Sequence, residues 1–212
     1  MKSQQILKKM LERYASCKSY QDTGILTSKE SNSIPSSLKF GTYFISPDSV
    51  FYWLGDQDRR STIWSKAGKV FTSSGEQVSA SFTLHSAFSN FHLYSRSNHF
   101  NATLVPSLLM AELKELGELL QNDFKVVSDK EKSDENFQLT SKCHPLAEIR
   151  LEICKKEYCL KRITMNYRAV VSPYYSPNQS LIEAEFSEVI FDEPIAEKIF
   201  SFVPPEKKEV VS

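Results

Sequence analysis

Reactive side chains occur in few groupings in this chain, and the cysteines come first. Cys154-Lys-Lys-Glu-Tyr-Cys159 sets two thiols on either side of four residues. That spacing is not CxxC, and no second pair with metal-ligand spacing accompanies it. The segment reads as strand, turn and strand. A cross-hairpin disulfide is one reading, and two free thiols is the other. Parity opposes the simplest bridge. Cys154 shares the outward parity of Glu148, Arg150 and Glu152, whereas Cys159 shares the inward parity of Ile163, Met165 and Tyr167. A bulge in one strand would bring them into line. Cys17 reads as a core thiol, and Cys143 lies at the far end of its strand from this turn.

His85, His92 and His99 recur every seven residues. On one helix, neighbours would sit about 10.5 Å apart along the axis, too far to share a metal ion. His144 precedes Pro145 and has no evident partner. The sequence holds no GxSxG, HExxH, P-loop or dinucleotide fingerprint. Its carboxylates are scattered along strand faces, so no acid–base pair is placed. Asn101-Ala-Thr103 and Asn178-Gln-Ser180 fit the glycosylation pattern, which short sequences meet by chance. Arg59-Arg60 reads as a solvated loop, with a polar headgroup or partner as the alternative. The expectation is a protein that is not an enzyme, with no cofactor and no metal.

Composition sets further bounds. The 212 residues are 41% hydrophobic and 12% aromatic, with 26 basic and 26 acidic side chains. That suffices for a sizeable core. A net charge of zero gives no electrostatic reason to expect nucleic acid or an anionic membrane. Met1-Lys-Ser-Gln-Gln is not followed by an apolar signal segment. No stretch approaches about 18 uncharged apolar residues. The chain is therefore a cytoplasmic protein, or a mature one whose leader has been removed.

The elements that would position these groups follow from periodicity. Ile6, Leu7, Met10, Leu11, Tyr14 and Cys17 give residues 4–18 one apolar helical face. Asp22-Thr-Gly24 breaks that pattern and starts a strand. Residues 24–74 read as a strand series. Val50-Phe-Tyr-Trp-Leu54 is apolar at both parities, as if covered on both faces. Thr62–Lys66 and Lys69–Thr72 form a hairpin about Ala67-Gly68. Over 78–95, a strand-like alternation of Ala80, Phe82 and Leu84 competes with a longer helical spacing through Ala87, Phe88, Phe91 and Tyr94, and the longer match is preferred. A second middle helix starts near Val105-Pro106, with Leu108, Leu109, Leu113, Leu116 and Leu120 on its apolar face and Gly117 ending or kinking it. Residues 128–136 are a charged loop. Strands follow through Ile149–Ile153, Ile163–Ala169 and Leu181–Phe191. In the last, Ile182, Ala184 and Phe186 share a parity that Val189 and Phe191 have lost, which predicts a bulge near Ser187 or Glu188. Phe200 and Phe202 read as a closing strand. The total is about nine strands with helices on one side, in one domain spanning 1–212.

Three segments in this order resemble the outer-membrane lipoprotein carrier (LolA-like) superfamily, in its uncharacterised predicted periplasmic branch. The first is Ile6-Leu-Lys-Lys-Met-Leu-Glu-Arg-Tyr-Ala-Ser-Cys-Lys-Ser-Tyr-Gln-Asp-Thr-Gly24, similar to the opening helix and its exit into strand one. The second is Thr42-Tyr-Phe-Ile-Ser-Pro-Asp-Ser-Val-Phe51. The third is Leu181-Ile-Glu-Ala-Glu-Phe-Ser-Glu-Val-Ile-Phe-Asp-Glu-Pro-Ile195 with Ile199-Phe-Ser-Phe-Val-Pro-Pro205.

The resemblance implies an α+β fold, a strongly curved antiparallel half-barrel with an N-terminal helix and one or two middle helices covering its concave face. It implies an apolar cavity between sheet and helices that takes an acyl chain, a lipid or a lipidated protein, in the periplasm or another extracytoplasmic compartment. Peripheral membrane contact is compatible with it. The motif-level features of active carriers, a cavity arginine among them, are not identifiable here. A sensor or interaction domain on the same fold is the alternative. On this basis Phe40, Phe44, Trp53, Trp64 and Phe71 are expected on the sheet wall. Leu84, Phe88, Phe91, Leu108 and Leu109 are expected on the lid. Ordinary core is the competing role for each. Ligand, partner and oligomeric state are not legible.

Overall fold

The computed structural model describes residues 1–30, 34–56, 60–74, 77–81, 83–84, 86–88, 100–110, 123–127, 135–144, 147–169 and 178–201. Helix α1 (Ser3–Ser16) opens the chain. Gln5 closes its first turn by accepting the Lys2 N–H at 3.3 Å. The expected face is the buried one, with Ile6, Leu7, Met10 and Tyr14 all inside.

Eleven described strands follow: β1 (Ser19–Glu30), β2 (Ser36–Ile45), β3 (Ser49–Leu54), β4 (Ser61–Lys66), β5 (Lys69–Ser74), β6 (Gln77–Ser81), β7 (Lys125–Val126), β8 (Asn136–His144), β9 (Ala147–Cys154), β10 (Leu160–Ala169) and β11 (Asn178–Phe191). Helix α2 (Phe100–Leu109) lies between β6 and β7. The strands form one curved antiparallel sheet that does not close, in the order β6-β5-β4-β3-β2-β1-β11-β10-β9-β8-β7. The first and last strands thus pair at its centre. Its two edges are consecutive in sequence, and α2 lies in the stretch that joins one edge to the other.

Several sequence expectations need correcting. β1 starts at Ser19, ahead of Gly24, which sits inside the strand. Nine strands become eleven. Residues 77–81 are the edge strand β6, not helix: Phe71 pairs with Ala80 and Thr72 with Ser79. Ladder hydrogen bonds to β5 outweigh a serine-weakened helical tendency there. Within 78–95, helical backbone is described only at 84 and 86–88. α2 begins five residues before Val105, so Pro106 is interior and buried, where it forgoes one helical hydrogen bond. Phe200 belongs to a 3-10 turn, Glu197–Phe200, and not to a strand. Tyr94, Leu113, Leu116, Gly117, Leu120 and Phe202 lie outside the described residues.

Other expectations hold. β4 and β5 turn at Ala67-Gly68, both at positive φ (51° and 75°). In β11 the register skips between Thr23↔Ser187 and Gln21↔Ile190, and Glu188 has φ 50°. That is the predicted bulge, and it bends the sheet at the central β1–β11 join.

Candidate functional site

Register decides which side chains share a face. Phe40 pairs with Leu54, Thr42 with Tyr52, and Phe44 with Val50. All six are buried. This is the helix side of the sheet. Ile63, Val70, Leu139, Ile149, Leu151, Ile163, Met165, Ile182, Ala184 and Phe186 extend it across the other strands. Onto it pack α1, the helical residues at 84 and 86–88, and α2, the last against β2, β10 and β11. Tyr52 meets Phe88 with ring centroids 5.5 Å apart. A layer this broad is worth roughly 1.5–3 kcal/mol for each large side chain removed from water.

Gly24 makes the centre of this wall possible. It pairs with Phe40 on one side and Phe186 on the other. Lacking a side chain, it lets those two rings meet edge to face at 5.2 Å across β1. A Cβ at Gly24 would collide with the Phe40 ring and the Glu185 carbonyl.

The predicted wall is therefore split. Phe40 and Phe44 join Phe88, Leu108, Leu109 and the partly buried Leu84 in one core cluster. Trp53, Trp64 and Phe71 take the opposite parity and face outward. Gly41 pairs with Trp53, Phe51 with Trp64, and Trp64 with Phe71. Phe91 lies outside the described residues, as do His85, His92, His99 and Arg59. The side chains of Cys143 and His144 likewise lie outside what is described.

The outer residues form a stack of their own. Tyr43, Phe51 and Trp64 lie face to face at 6.0 and 5.2 Å. Trp53 covers Gly41 on one side, and the Arg60 guanidinium sits 4.2 Å over its ring. This stack explains the apolar residues at both parities in β3. The 3-10 turn adds cover: it packs on β3 and β4, and Glu197 pairs with the outward Lys66.

A polar knot under α1 was not anticipated. Asp22 is 2% exposed. It accepts the Thr42 N–H at 2.9 Å and the Tyr20 hydroxyl at 2.6 Å. Burial pushes its carboxyl up to about 7, against the opposing pull of those hydrogen bonds. No pattern in Gln21-Asp22-Thr23 signals a buried acid. Tyr14, Tyr20 and Phe191 form a ring cluster beside it, with centroids 5.0–5.5 Å apart.

Catalytic geometry is not found among the described residues. The outer face of β8–β11 carries a pocket of about 600 Å³ lined by Glu148, Arg150, Arg162 and Glu183. These charges engage one another: Arg150 meets Glu148 at 3.1 Å, and Arg162 lies between Glu183 and Glu185. The hydrogen bond from Arg150 holds the Glu148 carboxyl below its usual range. Among the described residues no three metal-ligating side chains converge. No described helix is long and apolar enough to cross a membrane.

No protein-family model matches this chain, and no curated protein matches its sequence. Solved structures do. A LolA superfamily protein from Nitrosomonas europaea matches over 95% of this chain and 98% of its own, at 11% identity and a TM-score of 0.41. LprF from Mycobacterium bovis matches over 91% and 94%, at 9% identity and a TM-score of 0.47. A chain of the Pseudomonas aeruginosa MucA/MucB complex matches over 94% of this chain and 60% of that one, at 11% identity and a TM-score of 0.49. Identities this low carry no information about ligand or activity.

Proposed function

We propose that this chain, acting as one unit over 1–212, binds or transfers an apolar ligand without chemistry, in an extracytoplasmic compartment. The ligand class is an acyl chain, a lipid or a lipidated protein. One observation carries the reading. The sheet stays open, its helix-side wall is apolar, and its cover includes α1, α2 and the helical residues 84 and 86–88, the last two lying in sequence between the two edge strands. Separating cover from wall would expose Phe40 and Phe44 on one side, and Leu84, Phe88, Leu108 and Leu109 on the other. An acyl chain entering there gains about 0.8 kcal/mol per methylene removed from water. Apolar walls with few polar contacts suit such a ligand.

The test is a mass spectrum of lipids extracted from the purified protein, with titration of a fluorescent fatty acid and a lipopeptide. A stoichiometric lipid, or saturable binding displaced by the lipopeptide, is the expected result. Absence of both overturns the reading.

A second reading rests on the outer face. The Tyr43–Phe51–Trp64 stack, with Trp53 and Phe71 beside it, suits a protein-interaction or sensor domain without lipid carriage. That reading gains if lipid binding fails while Phe51→Ser abolishes capture of a defined partner.

A further inference from the structure

We propose that Cys154 and Cys159 are a disulfide-forming site that fixes the seat of helix α1. The proposal stands on the turn between β9 and β10. Cys154 donates its backbone N–H to the Cys159 carbonyl at 2.9 Å, and Tyr158 returns a bond to the Cys154 carbonyl at 2.9 Å. Tyr158 has φ 53°, which closes the turn tightly. The bulge that parity required is present, since the β9–β10 register shifts between Leu160 and Arg162. The backbone bond from Cys154 to Cys159 sets the two residues opposite each other across the turn, and both thiols are free here. Directly opposed residues across such a turn are spaced for a bridge.

Access is unequal, which orders the steps. Cys154 is half-buried and lines an outer pocket of about 800 Å³ with Glu152, Lys155, Lys156 and Lys161. Cys159 is fully buried, and burial pushes its thiol up to about 11. An external disulfide, RSSR, is the oxidant. The Cys154 thiolate attacks one of its sulfurs, forming Cys154–S–S–R and releasing RS⁻. The Cys159 thiolate then attacks the Cys154 sulfur, closing the protein disulfide and expelling the second RS⁻. The two protons lost by the protein thiols end on the two released thiols. The protein pair is oxidised and RSSR is reduced to two RSH.

The turn has a direct hold on α1. Lys9 donates to the Tyr158 hydroxyl at 3.3 Å and lies 4.9 Å from its ring centroid. Tyr14 accepts the Leu160 N–H at 3.0 Å. Both contacts flank Cys159, so cross-linking the turn restrains two of the points that hold the helix.

The experiment uses the full chain equilibrated with reduced and oxidised glutathione at about −200 mV, the poise of an oxidising compartment. Protein is then unfolded in an alkylating agent and weighed. Of four cysteines, two should take label, and digestion should yield a peptide linking 154 to 159. Four labels, or a bridge between other cysteines, overturns the site. Amide exchange of α1 is the second readout. It should slow about tenfold in the oxidised protein, and Cys154→Ser should exchange at the reduced rate under both conditions. Equal exchange in oxidised and reduced wild type overturns the coupling to the helix.

Discussion

The phenolic oxygen of Tyr14 accepts a hydrogen bond from the backbone N–H of Leu160 at 3.0 Å, in a fully buried setting. A helix at the start of the chain thereby satisfies the first residue of β10, which the β9–β10 bulge displaces. Burial pushes the Tyr14 phenol well above its usual range, so it stays protonated.

Tyr14→Phe keeps the ring cluster and removes the hydroxyl that accepts this bond and interacts with the Tyr20 hydroxyl. A buried N–H left without a partner costs about 1–3 kcal/mol. Urea unfolding should show that loss, with β10 amides near Leu160 exchanging faster. An unchanged midpoint would falsify the role given to this bond.

Asp22 should give the protein a stability slope in a definite direction. Its folded pKa is about 7, against about 3.9 unfolded. Between these values the folded state holds one more proton than the unfolded state. The contribution is complete below about pH 4 and is lost as pH rises to about 7, at up to roughly 1.4 kcal/mol per unit. Asp22→Asn should flatten this limb. Denaturant midpoints from pH 4.5 to 8 check it, and a wild-type profile that rises with pH through this window would contradict it.

Gly24→Ala should be costly and Gly68→Ala mild. A Cβ at Gly24 meets a ring and a backbone carbonyl, whereas one at Gly68 meets nothing within 4 Å. The first carries an overpacking cost of about 1–3 kcal/mol or more. The second carries only the left-handed backbone cost at φ 75°, about 1 kcal/mol. Calorimetry of both variants ranks them, and equal melting temperatures would contradict the packing account.

Asp192 should tolerate Asn better than Ala. It sits at φ 61°, accepts the Lys18 N–H at 2.8 Å, and pairs with Arg13 at 2.8 Å. Asn can keep the left-handed backbone and the Lys18 bond, whereas Ala loses both advantages. The Lys18 and Arg13 bonds hold the Asp192 carboxyl below its usual range. Its contribution is therefore present above about pH 4 and fades as pH falls through that lowered value. Thermal melts at pH 7 and pH 3 separate the effects: the gap between wild type and Asp192→Asn should shrink at the lower pH.

Part of this architecture is written locally in the chain. The apolar positions of α1 follow one helical face, Ala67-Gly68 marks a tight hairpin, and the parity break after Phe186 marks the bulge. Each depends on neighbours in sequence. Aromatic content alone does not assign Trp53, Trp64 and Phe71 to a face. Their placement follows from Phe40 pairing with Leu54, a register set by the turn between β2 and β3. Ala80 begins a helical spacing that runs over 78–95, yet the open edge of β5 captures 77–81 as a strand. Asp22 is illegible for the same reason: the Thr42 N–H that satisfies it arrives only with strand pairing.

The central β1–β11 join has a kinetic consequence. Each half of the sheet is a run of antiparallel neighbours, but Tyr20 and Phe191 come from nearly opposite ends of the chain. Loop closure makes such a contact slow to form. The halves can assemble from nearby segments, while their union waits for the last strand to emerge during synthesis. Until then, the edge of β1 that β11 will occupy stays open, and a chaperone or a second nascent chain has its best opportunity to bind there.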